Sequence, residues 1–143
     1  MNAIVADASV AAKWVLPGQG EPLRAEAQAW LRRFVEGEIQ LIVPDLFWAE
    51  FANLLWKSVR LARCSKSSAR MALEALEGMR VPTVSSLVLL DLAFGIATAY
   101  DRTVYDSLYV ALAVHSNAQL VTADERLANA LAAHFPVKWL GAA

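Results

Sequence analysis

Four acidic residues of this chain are placed to do chemistry: Asp7, Glu50, Asp106 and Asp124. Asp7 follows the short apolar run Ala3–Ala6 (AIVA), and Asp124 follows Gln119–Thr122 (QLVT). Asp106 precedes the almost wholly apolar segment Leu108–Val114 (LYVALAV). Glu50 interrupts a greasy helical segment, where its neighbours three and four residues away are Leu46, Phe47, Asn53 and Leu54. Burying one carboxylate without a partner is strongly unfavourable, and gathering four requires a neutralising cation. Hard oxygen donors suit Mg²⁺ or Mn²⁺. A carboxylate-held metal at the mouth of an α/β fold points to phosphoryl chemistry on nucleic acid.

Each acid also has a simpler explanation. Asp7 fits a turn or helix cap. Glu50 fits an ion pair with a nearby Lys or Arg. Asp106 fits a helix N-terminus, where a negative charge complements the dipole. Asp124 fits a cap in the sequence Thr122-Ala123-Asp124. Thr103 is available to cap the helix of Asp106 and so free that side chain. The joint placement of all four, at strand ends and helix starts, carries more weight than any one.

The elements that must position these acids follow from the apolar pattern. AIVA reads as a buried central strand, followed by a helix over Val10–Leu16 that Pro17 and Gly18 stop. A second helix is expected from Glu21 and Pro22 to about Val35. Ile39–Val43 (IQLIV) is the second strand, and Asp45 is placed to cap the helix that runs on to about Arg60. Ser65–Met79, Leu87–Tyr100 and Tyr105–His115 read as helices, with a short edge strand at Val81–Val84. QLVT is a strand, Asp124 opens a helix to about His134, and Val137–Leu140 is a last strand. Strands alternating with helices predict a parallel sheet covered on both faces. In open sheets of this kind, sites form outside the carboxyl ends of the strands.

Composition narrows the class. The 143 residues suit one domain spanning 1–143, and 57% hydrophobic content exceeds what an average core needs. The excess, with Trp14, Trp48, Trp56, Phe47 and Phe51 on predicted helices, predicts a subunit or partner interface. A net charge of −1 gives no global basic signature, so any RNA contact relies on a local basic rim. Lys13, Lys57, Arg60, Arg63, Lys66, Arg70 and Arg102 are the candidates. No stretch is long and apolar enough to span a membrane, and Asp7 falls where a signal peptide is purely apolar, which predicts a cytoplasmic protein. The lone Cys64 has no internal disulfide partner. His115 and His134 each fall late in a helix and are not placed as a nucleophile–base pair.

Taken together, these motifs resemble those of the PIN-domain family, specifically its VapC-type toxin ribonucleases of type II toxin–antitoxin systems. V-A-D-A-S-V (Val5–Val10) resembles the first-strand motif and places the first acid on Asp7. P-D-L-F-W-A-E-F-A-N-L-L (Pro44–Leu55) places the second on Glu50. V-Y-D-S-L-Y-V-A-L-A (Val104–Ala113) places the third on Asp106, and L-V-T-A-D-E-R-L (Leu120–Leu127) the fourth on Asp124. Ser9 and Thr122 stand where the family often has supporting hydroxyls.

The resemblance implies a PIN-like three-layer α/β/α sandwich with a central, mainly parallel sheet of four to five short strands. It implies Mg²⁺-dependent cleavage of RNA, with Mn²⁺ a possible substitute, a homodimer, and inhibition by a VapB-type antitoxin in a larger toxin–antitoxin assembly. On that reading Asp7 and Asp106 hold the metal, and Glu50 and Asp124 complete the pocket directly or through water.

Rival readings fit less well. A receiver-type phosphoacceptor domain needs paired acids after its first strand, and here Ala6 precedes Asp7. A haloacid-dehalogenase-like phosphatase needs D-x-D, and here the segment is Asp7-Ala8-Ser9. A PIN-fold binding module without activity is the remaining alternative, and the presence of all four acids argues against it.

Overall fold

The computed structural model describes residues 2–16 and 21–142. The strands are β1 (Asn2–Ala6), β2 (Ile39–Pro44), β3 (Thr83–Val84), β4 (Gln119–Thr122) and β5 (Val137–Trp139). The helices are α1 (Ala8–Val15), α2 (Arg24–Val35), α3 (Leu46–Arg60), α4 (Lys66–Gly78), α5 (Ser86–Tyr100), α6 (Val104–His115) and α7 (Glu125–Leu131). The sheet runs in the order β3-β2-β1-β4-β5, and every neighbouring pair is parallel.

This order decides where a site can form. From β1 the chain winds outward through β2 and β3, then returns to the other side of β1 and winds outward through β4 and β5. The direction reverses between β1 and β4, and a crevice opens at the carboxyl ends of those two strands. Right-handed crossovers put α1–α4 on one face and α5–α7 on the other. The packing agrees: α1 meets α2 and α3, α3 meets α4, and α5 meets α6. The architecture is therefore the expected three-layer α/β/α sandwich.

β1 is buried on both faces because Ile4, Val5 and Ala6 are continuously apolar, and β2 and β4 flank it in register at Val5 through Ile42 and Leu120. On one side Phe47 and Phe51 of α3 stack with ring centroids 5.7 Å apart and are fully buried. Truncating Phe51 to Ala would cost about 3–5 kcal/mol, the range for a buried aromatic. On the other side α6 is buried without a break from Ser107 to Ala113, held between the sheet and α5.

Several local expectations shift. α1 starts at Ala8 because Asp7 is its N-cap. α2 starts at Arg24, since Leu23 takes a left-handed φ of 60° and Glu21 is drawn into an ion pair with Lys13. Asp45 makes no side-chain cap to α3; its carboxylate accepts from the backbone N–H and hydroxyl of Ser86, so it ties β2 to the start of α5 instead. β3 is an edge strand, as expected, and Pro82 falls just before it. α7 ends at Leu131, because Pro136 disfavours helix at Phe135 and the chain must turn into β5. The last segment becomes a 3₁₀ turn at Leu140–Ala142 after β5. The expected helix stop at Pro17 and Gly18 lies outside the described residues.

The apolar surplus has a definite location. α5 buries the stripe Leu89, Ala93, Ile96 and Ala97, and leaves Leu87, Val88, Leu90, Leu92 and Phe94 exposed. Trp56 of α3 is also exposed, whereas Trp14 is buried with its indole N–H donated to the Ala27 carbonyl at 2.9 Å. No helix of the described residues is long and apolar enough to cross a membrane.

Candidate active site

All four acids line one cleft of about 610 Å³ at the carboxyl ends of β1 and β4. Its size falls in the range of small-ligand sites. Asp7 comes from the β1–α1 junction, Glu50 from α3, Asp106 from the first turn of α6, and Asp124 from the β4–α7 junction. The cleft therefore spans both helical layers across the reversal point of the sheet.

Asp7 is the anchor. Its Oδ1 accepts from the Ser9 hydroxyl at 2.5 Å and from the Val10 backbone N–H at 3.2 Å. Its Oδ2 accepts from the Thr122 hydroxyl at 2.5 Å. The carboxylate is almost fully buried, and burial pushes its pKa up from 3.8 to about 6. The three hydrogen bonds act the other way, and the neighbouring Glu50 charge adds to the rise. The cap reading of Asp7 is thus correct as far as it goes, but a cap alone does not bury a carboxylate among other acids.

Thr122 links two acids through one buried hydroxyl. It donates to Asp7 and accepts from the Asp124 backbone N–H at 3.0 Å. Asp124 also caps α7, taking the Leu127 N–H at 3.2 Å, and its side chain faces solvent. Thr103 caps α6 by accepting from the Asp106 N–H at 3.0 Å, so the Asp106 carboxylate is free of that duty. Burial pushes the Asp106 pKa up, the Asp124 charge pushes it further, and Arg102 opposes both.

Glu50 has one partner among the described residues. The Tyr109 hydroxyl of α6 donates to its Oε1 at 2.5 Å, joining helices from opposite layers. Burial, then that hydrogen bond and the Glu50 charge, raise the Tyr109 pKa far enough that the phenol stays protonated and donating. The ion-pair reading of Glu50 does not hold, since no Lys or Arg pairs with it among the described residues. Sequence reasoning missed Tyr109 as part of the site. Its signal was present: a polar tip one turn after Asp106 in an otherwise apolar helix.

The donor set fits a hard divalent cation. The groups around the cleft are carboxylates with no Lys, Arg or His among the described lining residues, and two of the acids have raised pKa values. Among the described residues no three acids, histidines or cysteines form a ready-made metal cage. The four carboxylates instead ring an open cleft with room for water, which suits Mg²⁺, an ion that keeps several waters and needs one or two direct carboxylates.

The expected basic rim is mostly elsewhere. Lys13 is buried and bonded to Glu21 Oε1 at 2.7 Å, so it is unavailable to a ligand. Arg60 lies over the Trp56 ring at 5.5 Å, and Lys66 and Arg70 border a separate groove between α3 and α4. Arg102, whose charge acts on Asp106, is the cation nearest in effect to the acids. Neither His115 nor His134 lines the cleft.

Comparison with known proteins gives a consistent result. Residues 4–131 match the PIN domain family model. Ribonuclease VapC3 from Pyrobaculum aerophilum is 34% identical over 129 residues, covering 87% of this chain and 92% of that protein. The crystal structure of PAE2754 from Pyrobaculum aerophilum superposes with a TM-score of 0.65 at 25% identity, covering 90% of this chain and 79% of that one. Mycobacterium tuberculosis VapC20, described as a toxin that cleaves the sarcin–ricin loop, superposes with a TM-score of 0.65 at 19% identity over 92% of this chain and 95% of its own. With a family match over nearly its whole length and an acidic cleft at the sheet's reversal point, this chain belongs to the PIN-domain family and to its VapC group.

Proposed function

We propose that the chain is a divalent-metal-dependent endoribonuclease, working as one PIN domain over residues 1–143 and as the cytoplasmic toxin of a VapBC-type module. The observation that carries this reading is the gathering of Asp7, Glu50, Asp106 and Asp124 around one cleft without a lining cation. Asp7 and Asp106 are the residues to hold Mg²⁺, with Mn²⁺ a substitute, and Glu50 and Asp124 complete the donor set directly or through water. A bound Mg²⁺ supplies water activation near neutral pH and offsets charge on the phosphate.

The chain's own residues prepare the site. Ser9, Thr122 and the Val10 N–H hold the Asp7 carboxylate in one orientation and favour its ionised form. Thr122 fixes the Asp124 backbone to the same anchor. Tyr109 holds Glu50 from the opposite layer. Glu50 and Asp124 are positioned to take the proton of an attacking water and to orient it towards phosphorus. Exposed Tyr105, beside Asp106 at the rim, offers an aromatic face to a base of the RNA. Arg102 is the cation suited to a phosphate of the substrate.

Two apolar surfaces support two protein partners. The exposed face of α5, with Leu87, Val88 and Phe94, suits a second copy of the chain, giving a homodimer. The surface around exposed Trp56 and Met71 on α3 and α4 suits the VapB-type antitoxin, in a larger assembly. The test of function is direct. Purified Asp106→Asn, with an unchanged circular dichroism spectrum, loses cleavage of RNA in Mg²⁺ buffer. Cleavage at the parental rate would remove Asp106 from the mechanism.

A further inference from the structure

Glu50 is held in an unusual way for a residue facing a cation site. Its Oε1 carries the 2.5 Å hydrogen bond from Tyr109, and its other oxygen has no hydrogen-bond or ion-pair partner among the described residues. Tyr109 has no freedom to move aside. Its ring is 3% exposed and packed in the continuously buried stretch of α6, between the sheet and α5. The phenol therefore occupies one Glu50 oxygen and leaves one for the cleft.

A carboxylate with one oxygen to give acts as a monodentate ligand. Mg²⁺ and Mn²⁺ accept that, since they take six ligands and retain waters. Ca²⁺ takes six to eight oxygens and commonly uses bidentate carboxylates. We infer that Tyr109 is a positioning residue that keeps Glu50 monodentate and so biases the acidic cleft towards Mg²⁺ and Mn²⁺ over Ca²⁺. The inference rests on the metal-binding reading of the cleft and adds the determinant of ion selectivity to it. Hydroxyl partners of metal-bound carboxylates act in this way generally: they fix orientation, and their loss changes affinity by about 10–100-fold.

The experiment measures ion binding by calorimetry with metal-free full-length protein, so it does not depend on RNA cleavage. Mn²⁺ and Ca²⁺ are titrated separately into wild type, Tyr109→Phe, Glu50→Gln and the double variant, each checked by thermal melting in EDTA. In Tyr109→Phe the ratio of Ca²⁺ to Mn²⁺ affinity is expected to rise by about tenfold. In the Glu50→Gln background the same change at Tyr109 is expected to leave the ratio unmoved, because Tyr109 acts through Glu50. An unchanged ratio in folded Tyr109→Phe overturns the inference while leaving the metal site standing. Absence of Mn²⁺ binding to wild type overturns both. If Tyr109→Phe does not fold, wild-type crystals soaked in Mn²⁺ decide: Glu50 Oε1 still bonded to Tyr109 supports the inference, and a bidentate Glu50 overturns it.

Discussion

Replacing Asp7 by Asn should make the metal-free protein more stable at neutral pH. Asp7 is buried and its pKa stands at about 6 against 3.8 for an ordinary aspartate. At ~1.4 kcal/mol per pH unit, holding it ionised at pH 7 costs roughly 3 kcal/mol. Because the folded value lies above the unfolded one, this penalty is fully present above about pH 6, shrinks as the pH falls through that value, and is gone below about pH 4. Asn keeps the shape and carries no charge. Its carbonyl can replace Oδ1, accepting from Ser9 and Val10, and its amide can replace Oδ2 by donating to a reoriented Thr122 hydroxyl. Imperfect repacking of that network offsets part of the gain, so we expect about 1–3 kcal/mol, or roughly 3–9 °C in Tm for a chain of this length. The assay is thermal melting in EDTA at pH 7 and pH 4. The variant should gain stability at pH 7, lose most of that advantage at pH 4, and cleave no RNA at either. A variant less stable than wild type at pH 7, or one with an equal gain at both pH values, would refute the account of Asp7 as a charge held at a cost for function.

Three further outcomes follow from the same geometry. Thr122→Val removes the donor to Asp7 Oδ2, so the Asp7 pKa should rise further and the acid limb of the cleavage pH profile should move up by ~1–2 pH units; an unmoved limb would mean that Asp7 does not set it. Phe94→Asp puts a charge in the exposed apolar face of α5 and should convert a dimer to a monomer by light scattering at micromolar concentration, with the melting temperature of the monomer unharmed. Asp45→Ala removes the tie between β2 and the start of α5 and should lower stability by about 0.5–2 kcal/mol in urea titrations at pH 7. Hydrogen bonds from Ser86 hold the Asp45 pKa below the usual carboxylate range, so its contribution is present at neutral pH and fades only in acid as the pH falls through that lowered value.

How much of this was legible in the sequence can be judged residue by residue. The strands were readable because AIVA, IQLIV and QLVT are short and continuously apolar, which is the mark of a sheet covered on both faces. The four acids were readable for a related reason: a carboxylate at the end of such a run has few neutral explanations. Their convergence needed the strand order, since the reversal between β1 and β4 is a long-range fact that no local pattern encodes. Caps were read well when the partner is three residues away, as with Thr103 and Asp106, and badly when it is distant, as with Asp45 and Ser86. Tyr109 was hidden for the same reason, because its partner Glu50 is 59 residues away. The apolar surplus was countable, but its concentration on the outer face of α5 emerged only with the packing of α5 on α6. Lys13, read as a rim cation, proved to be buried against Glu21.

The account turns on carboxylates from both helical layers sharing a divalent ion and using it on RNA. The most direct measurement is the cleavage rate of a structured RNA by protein stripped with EDTA, as Mg²⁺ is titrated back at pH 7.5. Cleavage should fall to background when stripped and return along a saturating curve, and folded Asp7→Asn should stay at background throughout. Stripped protein that cuts at full speed, or an Asp7→Asn variant that follows the same curve, would contradict it.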